Sequence, residues 1–600
     1  MILQPERHAH HTFQRFDLSP TTTQLLGAFD IICLVLNRTI GSGIFTVPPK
    51  VLAGTGSIGA SLLLWLFGGI IILCAVLCWL ELGLTIPMHT LIERGRPVRV
   101  SAPRSGGEKN YLEYIFKNPP FLMTAIFGIM FIVLGNLAGN AVAFGFNVMI
   151  AAGKDPINSN ANNYEKGPVI GLAITCVTLC CLFHVFSRRG GIIVNNAFAV
   201  AKVGILLVII VLGFVHAGGK YLRTTSNFAA ATSFRSKHDF SSFVGSLLVA
   251  VYPYTGFEQP FYVLSEVATP KKVFPKAAIT AMLVTIALYM LVNISFFCVV
   301  PKETYTEVPG IEIDMASVFL HDLFDSTLGP HGAKRAMAAL VAFSIFGNIL
   351  VLTFTAARVK QEIAKEGIIP KSLFFATGHT TPWARFRNRN RRRPDAAVED
   401  DLDLETHLEQ SPMAALGLHW LSTVFLILIT AMLNPATAYS ILITLYSYVN
   451  VSVLGSLTGG GLLYLKIDSW FRGENGRNWF NKTQWIPYLD PLPAIIYFVS
   501  MTFFLFALFV KPAADSPFSQ DSTGYPWFLV PAIGLTSLLW GVVWWLGLEF
   551  AQWSGHFRIL VTRRPYLVKD GEGNYVQVVE LVEHQRLYER QSYVADPETP

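Results

Sequence analysis

Charge is what this chain has least of: Asp, Glu, Lys and Arg make up only 14% of its 600 residues, against about 25% in an ordinary soluble protein. A water-soluble globule with a normal surface is excluded, because 52% of the residues are hydrophobic and too little polar surface remains to cover them. Cysteine is sparse too. The seven, Cys33, Cys74, Cys78, Cys176, Cys180, Cys181 and Cys298, all fall inside apolar runs, which excludes a disulfide framework and any zinc spacing. No His, Asp or Cys cluster converges at an interface, so a membrane-embedded enzyme is not expected, and neither is a cofactor or a metal. The opening MILQPERHAHHTFQRF has no short apolar core followed by a small-residue cleavage site; insertion is expected to rest on the first transmembrane helix. A formal charge of +6 is small for this length and implies no nucleic-acid partner.

Long apolar runs are what the chain is rich in, and stretches of roughly 18 or more such residues read as membrane spans. They lie near 25–52, 57–86, 120–152, 168–186, 190–215 and 241–264, then near 276–300, 334–357, 412–433, 436–465, 492–511 and 526–552. Twelve spans put both termini on one side, and the positive-inside rule selects it. With both ends cytoplasmic, the inner segments carry 33 of the 46 Lys and Arg and the outer loops 11, the other two being Arg38 and Lys202 within helices. The expected architecture is an all-α polytopic membrane protein, with the plasma membrane as its expected location. It has a cytoplasmic tail (1–24), six spans (25–265) with an inserted cytoplasmic loop (88–104), six more (266–552) with a long charged loop (359–411), and a second cytoplasmic tail (553–600). The insert MHTLIERGRPVRVSAPR reads as a mobile loop on anionic headgroups or a solvated linker. Arg385–Glu409 passes from a basic block to an acidic one, a pattern expected to be disordered. Sequons at Asn37, Asn293, Asn450 and Asn481 fall in expected helices or on the inner side, so external glycosylation is not expected.

Two runs are interrupted. The first contains NRTIGSGIFTVP, Asn37–Pro48, where Gly41 and Gly43 flank Ser42 and are poor at holding a helix interior. A break at membrane depth is tolerable only where the freed backbone lines a cavity or a ligand, and the positive end of the second half-helix suits a carboxylate. Close helix packing through small residues is the competing explanation. The sixth run is cut by Tyr252, Pro253, Tyr254, Thr255 and Gly256 and again by Pro260, since proline removes a donor and glycine loosens the helix. Spans one and six each open a five-helix set, the arrangement of an inverted repeat with its site at the facing breaks.

The motifs IGSGIF (Ile40–Phe45), CWLELGLTI (Cys78–Ile86), RSGGEKNYLEYIF (Arg104–Phe116), YTGFE with LSEV in the sixth span, and the eighth and tenth spans (Phe343–Lys371, Leu445–Lys466) occur in order. Together they resemble the amino acid/polyamine/organocation transporter superfamily, and within it the L-type amino acid transporters; NRTIGSGIF looks like the fungal methionine permeases. The resemblance implies the leucine-transporter fold: a 5+5 inverted repeat with discontinuous helices 1 and 6, plus two C-terminal helices. It implies a substrate carboxylate on the backbone around Ser42, Gly43 and Ile44, and an amino group at carbonyls near Tyr252, Tyr254 and Thr255, with Tyr252 as the lid. Phe257 and Glu258 stand where L-type transporters have Trp-Asn. The outer loop between spans three and four has no cysteine, so no disulfide-linked heavy chain is expected.

Ionisable groups inside a membrane are costly and are functional by default. Arg38 lies one turn before the first break and Glu258 just after the second; the two pair across the site, or Arg38 snorkels or meets loop carbonyls. Glu81 reads as an interfacial carboxylate near a base of the following loop. By the resemblance, Lys202 takes the place of the sodium ion of sodium-coupled relatives and reaches carbonyls near the first break and Ser344 or Thr353. The expected lining of Ile40, Tyr252, Phe257, Tyr446 and Tyr448 is largely apolar, and Gly41, Gly256 and Glu258 are further expected substrate-binding residues. The function read here is a secondary carrier of neutral, large or sulfur-containing L-amino acids such as methionine, working by alternating access. An amino acid sensor of the same fold is the alternative.

Overall fold

The structure, a computed structural model, describes residues 13–18, 20, 24–93, 95–154, 166–218, 226–228, 240–302, 315–388, 408–472, 479, 490–511 and 525–588. Its helices follow the apolar runs. The first run is divided into α1 (Ala28–Thr39), α2 (Gly43–Thr46) and α3 (Pro48–Thr55). There follow α4 (Ile58–Thr85), α5 (Glu108–Ile115), α6 (Leu122–Leu134), α7 (Ala138–Ala151), α8 (Lys166–Phe186), α9 (Arg188–Gly218) and α10 (Phe240–Val251). The second half holds α11 (Pro270–Val299), α12 (Met315–Phe324), α13 (Gly329–Lys365), α14 (Ser372–Ala376), α15 (Pro382–Asn388), α16 (Met413–Ile429), α17 (Pro435–Ser447), α18 (Leu454–Arg472), α19 (Leu492–Ala507) and α20 (Leu529–Ser554).

Local chemistry sets these boundaries. The carboxylate of Asp30 accepts the Gly27 N–H at 2.8 Å and opens α1, using the positive end of the helix. Ser57 caps α4 by accepting the Ala60 N–H at 3.3 Å, as N-cap hydroxyls do. Asn434 caps α17 through the Ala436 N–H at 3.1 Å, and Pro435 follows it, where a missing N–H costs nothing. Between α17 and α18 the chain widens into a π-helical turn, Tyr448–Val453.

Among the described residues ten helices are long and apolar enough to cross a membrane, and each coincides with an expected span. The other two expected spans fall short of that length: α19 has 16 residues, and the sixth run is broken after α10. The expectation of an all-α chain needs correction outside the membrane part. Strands β1 (Phe13–Leu18), β6 (Phe557–Lys569) and β7 (Tyr575–Tyr588) form an antiparallel sheet in the order β1-β7-β6, so parts of both tails fold together. Along β6, half-buried and exposed positions alternate from Phe557 to Leu560 and again from Arg563 to Val568, the period of a strand with one face covered. The insert is likewise no linker: β2 (Met88–Glu93) and β3 (Arg96–Ser101) make a hairpin, and Glu93 at its tip accepts from Lys569 Nζ and Tyr575 Oη, each at 2.6 Å. A short pair, β4 (His379–Thr380) with β5 (Gln410–Ser411), brackets the charged loop. Of the Arg385–Glu409 block, residues 385–388 are helical in α15 and Glu409 is buried against the start of α9; 389–407 lie outside the described residues, as do 1–12, 589–600 and the sequon at Asn481.

Candidate functional site

The first break falls where the glycines stand. Helix α1 ends at Thr39, residues 40–42 are not helical, and α2 starts at Gly43. Among the described residues, the amide N–H groups of Gly41, Ser42, Gly43 and Ile44 have no hydrogen-bond acceptor, while Ile40 N–H still closes onto Leu36 O at 2.9 Å. Four loose amides at the start of a half-helix form a positive concavity suited to an anion. Ser42 Oγ lies 3.0 Å from Tyr439 Oη, and Ser344 Oγ donates to Ile40 O at 2.9 Å. A Cβ on Gly41 would collide with the Asn348 amide, and one on Gly43 would lie 3.0 Å from Pro253 Cγ.

The second break faces the first. After α10 comes a tight turn, Tyr252–Tyr254, then residues 255–258 without helical structure, then a 3₁₀ stretch, Gln259–Glu266. Tyr252 O accepts from Thr255 N–H at 3.0 Å and Thr255 Oγ1 at 2.7 Å. Gly256 has φ of +131°, a conformation closed to residues with a side chain, and it packs directly on Arg38. Tyr289, in α11, joins the two breaks: its hydroxyl lies 2.6 Å from Thr39 O and 3.1 Å from Pro253 O.

Most of the expected residues are therefore brought together, with specific exceptions. The Tyr254 side chain leaves the site, donating to Trp65 O at 3.0 Å with its ring beside Trp65 and Tyr289. Tyr448 also turns away, toward Leu505 O at 3.3 Å and Gly534. Phe257 packs edge-on against Trp79, ring centres 5.3 Å apart. Arg38 and Glu258 do not pair. The Glu258 carboxylate curls onto its own loop, accepting Gly256 N–H at 2.8 Å and Gln259 Nε2 at 3.0 Å, and the Arg38 guanidinium lies over the Tyr446 ring at 5.5 Å. Glu81 meets Lys466 of α18 at 2.7 Å and Trp479 Nε1 at 2.7 Å, where a base of the loop after α4 was expected.

Lys202 is buried in α9, and its ammonium donates to Asn37 O at 2.6 Å and Asn348 Oδ1 at 2.8 Å. The first-break carbonyl was foreseen; Ser344 and Thr353 are not the partners. Ser344 is spent on Ile40 O, and Thr353 donates back to Ile349 O at 2.7 Å. Asn37 extends the set, its amide donating to Asn195 Oδ1 at 2.7 Å and Gly347 O at 3.0 Å. Asn37, Asn195, Asn348, Tyr289 and Tyr439 are thus site residues that sequence reasoning passed over. The asparagines carried a usable signal, being polar groups within apolar helices; the tyrosines carried none.

At the opposite end of α13, buried charges gather. Arg188 and Arg358 both pair with Glu266. Lys365 meets Asp17 and Glu362, each at 2.5 Å, and Glu580 at 3.1 Å. Arg563 joins Glu362, Glu366 and Glu580, and Lys109 joins Glu366. The oxygens of Asp17, Glu362 and Glu580 lie within 4.8 Å of one another, and Lys365 and Arg563 supply the positive charge that balances them. Burial alone would push Glu580 and Glu366 up, yet Arg563 with Lys365, and Lys109 with Arg563, hold them below the usual carboxylate range.

Against known proteins, a family model described as amino acid permease matches residues 26–90 and 98–538. The high-affinity methionine permease of Saccharomyces cerevisiae is 27% identical over 546 residues, 89% of this chain and 81% of that one. The low-affinity methionine permease of the same yeast is 27% identical over 58% of this chain and 59% of its own length. The rabbit b(0,+)-type amino acid transporter 1 is 27% identical over 59% of this chain and 66% of its own.

Proposed function

On the premise that this chain belongs to the amino acid permease family, a family of membrane transporters and not of enzymes, we propose that it is a secondary carrier of neutral, large or sulfur-containing L-amino acids, methionine first among them. The observation that carries this reading is the pair of facing helix breaks, 40–42 and 252–258, tied by Tyr289. Four unpaired amides from Gly41 to Ile44 suit the α-carboxylate. The second break, with Tyr252, Thr255, Gly256, Phe257 and Glu258, suits the amino group and side chain. The likeness to two yeast methionine permeases supports the choice of substrate.

The fuller architecture belongs to the same reading. Twelve spans in a 5+5 inverted repeat with two added helices, both termini in the cytoplasm and the plasma membrane as location, fit the ten long helices and the distribution of Lys and Arg. The two halves rock about the midplane site, and Lys202 stands in for a sodium ion between α1 and α13. No disulfide-linked heavy chain belongs to this reading, because the outer loop between spans three and four has no cysteine. One observation favours the sensor reading: segments of both tails form a single sheet locked to the end of α13.

Uptake in a transport-deficient yeast, with all twenty amino acids as competitors of labelled methionine, tests the proposal. Inhibition by methionine and leucine is expected. Strong inhibition by lysine or arginine with none by methionine or leucine would overturn the substrate class, and binding without uptake would favour the sensor.

A further inference from the structure

Arg38 occupies the last turn of α1 at 2% exposure, wedged against the second break: a Cβ on Gly256 would come within 2.6 Å of Arg38 Cγ. The Tyr446 ring covers one face of its guanidinium. Nε and Nη2 are buried without a hydrogen-bond partner, and among the described residues no carboxylate lies within ion-pair distance of the group. Glu258, the acid of the facing loop, has both oxygens engaged by Gly256 N–H and Gln259 Nε2.

The two unspent nitrogens are the ones that share an edge of the guanidinium. Their N–H bonds point the same way, at the spacing that two oxygens of one carboxylate accept in a bidentate pair. An arginine stays charged at any accessible pH, so desolvating its donors without an acceptor is costly. A structural arginine would be expected to have filled that edge from the protein, as Arg188 fills its own from Glu266 through Nε and Nη2.

We propose that the Nε–Nη2 edge of Arg38 holds a carboxylate of the transported molecule and makes this site prefer acids to their amides and alcohols. The proposal rests on the carrier reading above. The carboxylate has two possible sources, the α-carboxylate of any amino acid or the side chain of an acidic one. In the first case Arg38 acts together with the free amides of residues 41–44; in the second it selects the substrate.

Competition binding on the purified full-length chain in lipid nanodiscs decides the matter. Labelled methionine is displaced by methionine, methioninamide, methioninol and glutamate, in the wild type, Arg38→Gln, Arg38→Lys and Tyr446→Leu. The wild type should favour methionine over methioninamide, and Arg38→Gln should cut that preference about tenfold to a hundredfold, the worth of hydrogen bonds to a charged group. Arg38→Lys should keep part of it. Glutamate displacing better than methionine in the wild type alone would identify the side-chain carboxylate as the source. A purely structural arginine would change stability and leave the acid-to-amide ratio intact, and that result, or a wild type with no such preference, overturns the proposal. Should both Arg38 variants fail to fold, Tyr446→Leu, which uncovers the guanidinium, should lower the ratio; an unchanged ratio counts against the idea. A wild type that binds none of the twenty amino acids would bring down the carrier reading itself, and this proposal with it.

Discussion

Gly43 and Pro253 meet across the two helix breaks, so closely that a Cβ on the glycine would stand 3.0 Å from the proline Cγ, 3.1 Å from its Cβ and 3.3 Å from its Cα. The proline ring and backbone cannot yield as the end of a flexible side chain would. Gly43→Val should therefore force the breaks apart, crowd the free amides and favour a continuous helix. Uptake should be abolished while the protein still reaches the membrane, as a surface-labelling assay would show. Near-normal transport by this variant would rule out the site.

Tyr289 gives a milder test of the same geometry. Its hydroxyl serves two buried carbonyls, Thr39 O and Pro253 O, one from each break. Tyr289→Phe keeps the ring against Trp65 and Tyr254 but leaves those acceptors short of a donor, at a cost of about 1–3 kcal/mol. The variant should fold, melt earlier and bind substrate more weakly. Unchanged affinity would mean that the registry of the two breaks does not depend on this hydroxyl.

Much of this arrangement was legible in the sequence, and the misses have physical causes. The spans could be read because a bilayer demands long apolar runs, and the breaks because Gly-Ser-Gly and Tyr-Pro-Tyr-Thr-Gly disrupt such runs. Lys202 stood out as an isolated charge, but its partners depend on helical phase. Ser344 and Asn348, four residues apart, share the face of α13 that looks toward the first break, whereas Thr353 lies five residues beyond Asn348 and points elsewhere, consistent with its bond back to Ile349 O. The tail sheet was missed because β6 and β7 lack a strict apolar–polar alternation and lie within charged sequence. The partners of β1 in β7, such as Glu580 opposite Asp17, are more than five hundred positions away in the chain.

The charge lattice under that sheet predicts an acid sensitivity of definite sign. Glu580 and Glu366 have folded-state pKa values below their unfolded ones, because Arg563, Lys365 and Lys109 outweigh burial. Groups of this kind contribute stability above the unfolded carboxylate pKa and lose it as pH falls through the depressed folded value. Tail docking should hold through neutral pH and loosen only in strong acid, seen as faster hydrogen exchange in 557–588 below about pH 4. Glu580→Ala removes a carboxylate that serves Lys365 and Arg563, and should release the tail at neutral pH at a cost of about 3–5 kcal/mol. Protection of 557–588 unchanged in this variant would show that the lattice does not hold the sheet.

Transport should not require sodium. Lys202 places a buried ammonium between α1 and α13, on Asn37 O and Asn348 Oδ1, and it does so beside the residues that end the first half-helix. An ammonium at this depth needs oxygens or must lose its proton, and these two oxygens come from the two helices that a bound sodium would otherwise link. Because the lysine is tethered, it can hold α1 to α13 through a whole cycle without dissociating, so an external sodium gradient has nothing to act on there. Exchange of sodium for choline in the assay medium should leave uptake unchanged; a collapse would refute the role given to Lys202. Lys202→Ala separates two meanings of the same geometry. If the ammonium serves the transport cycle, the variant reaches the membrane and does not transport. If it only glues the bundle, the variant is lost from the membrane, because Asn37 O and Asn348 Oδ1 are then left buried without a donor.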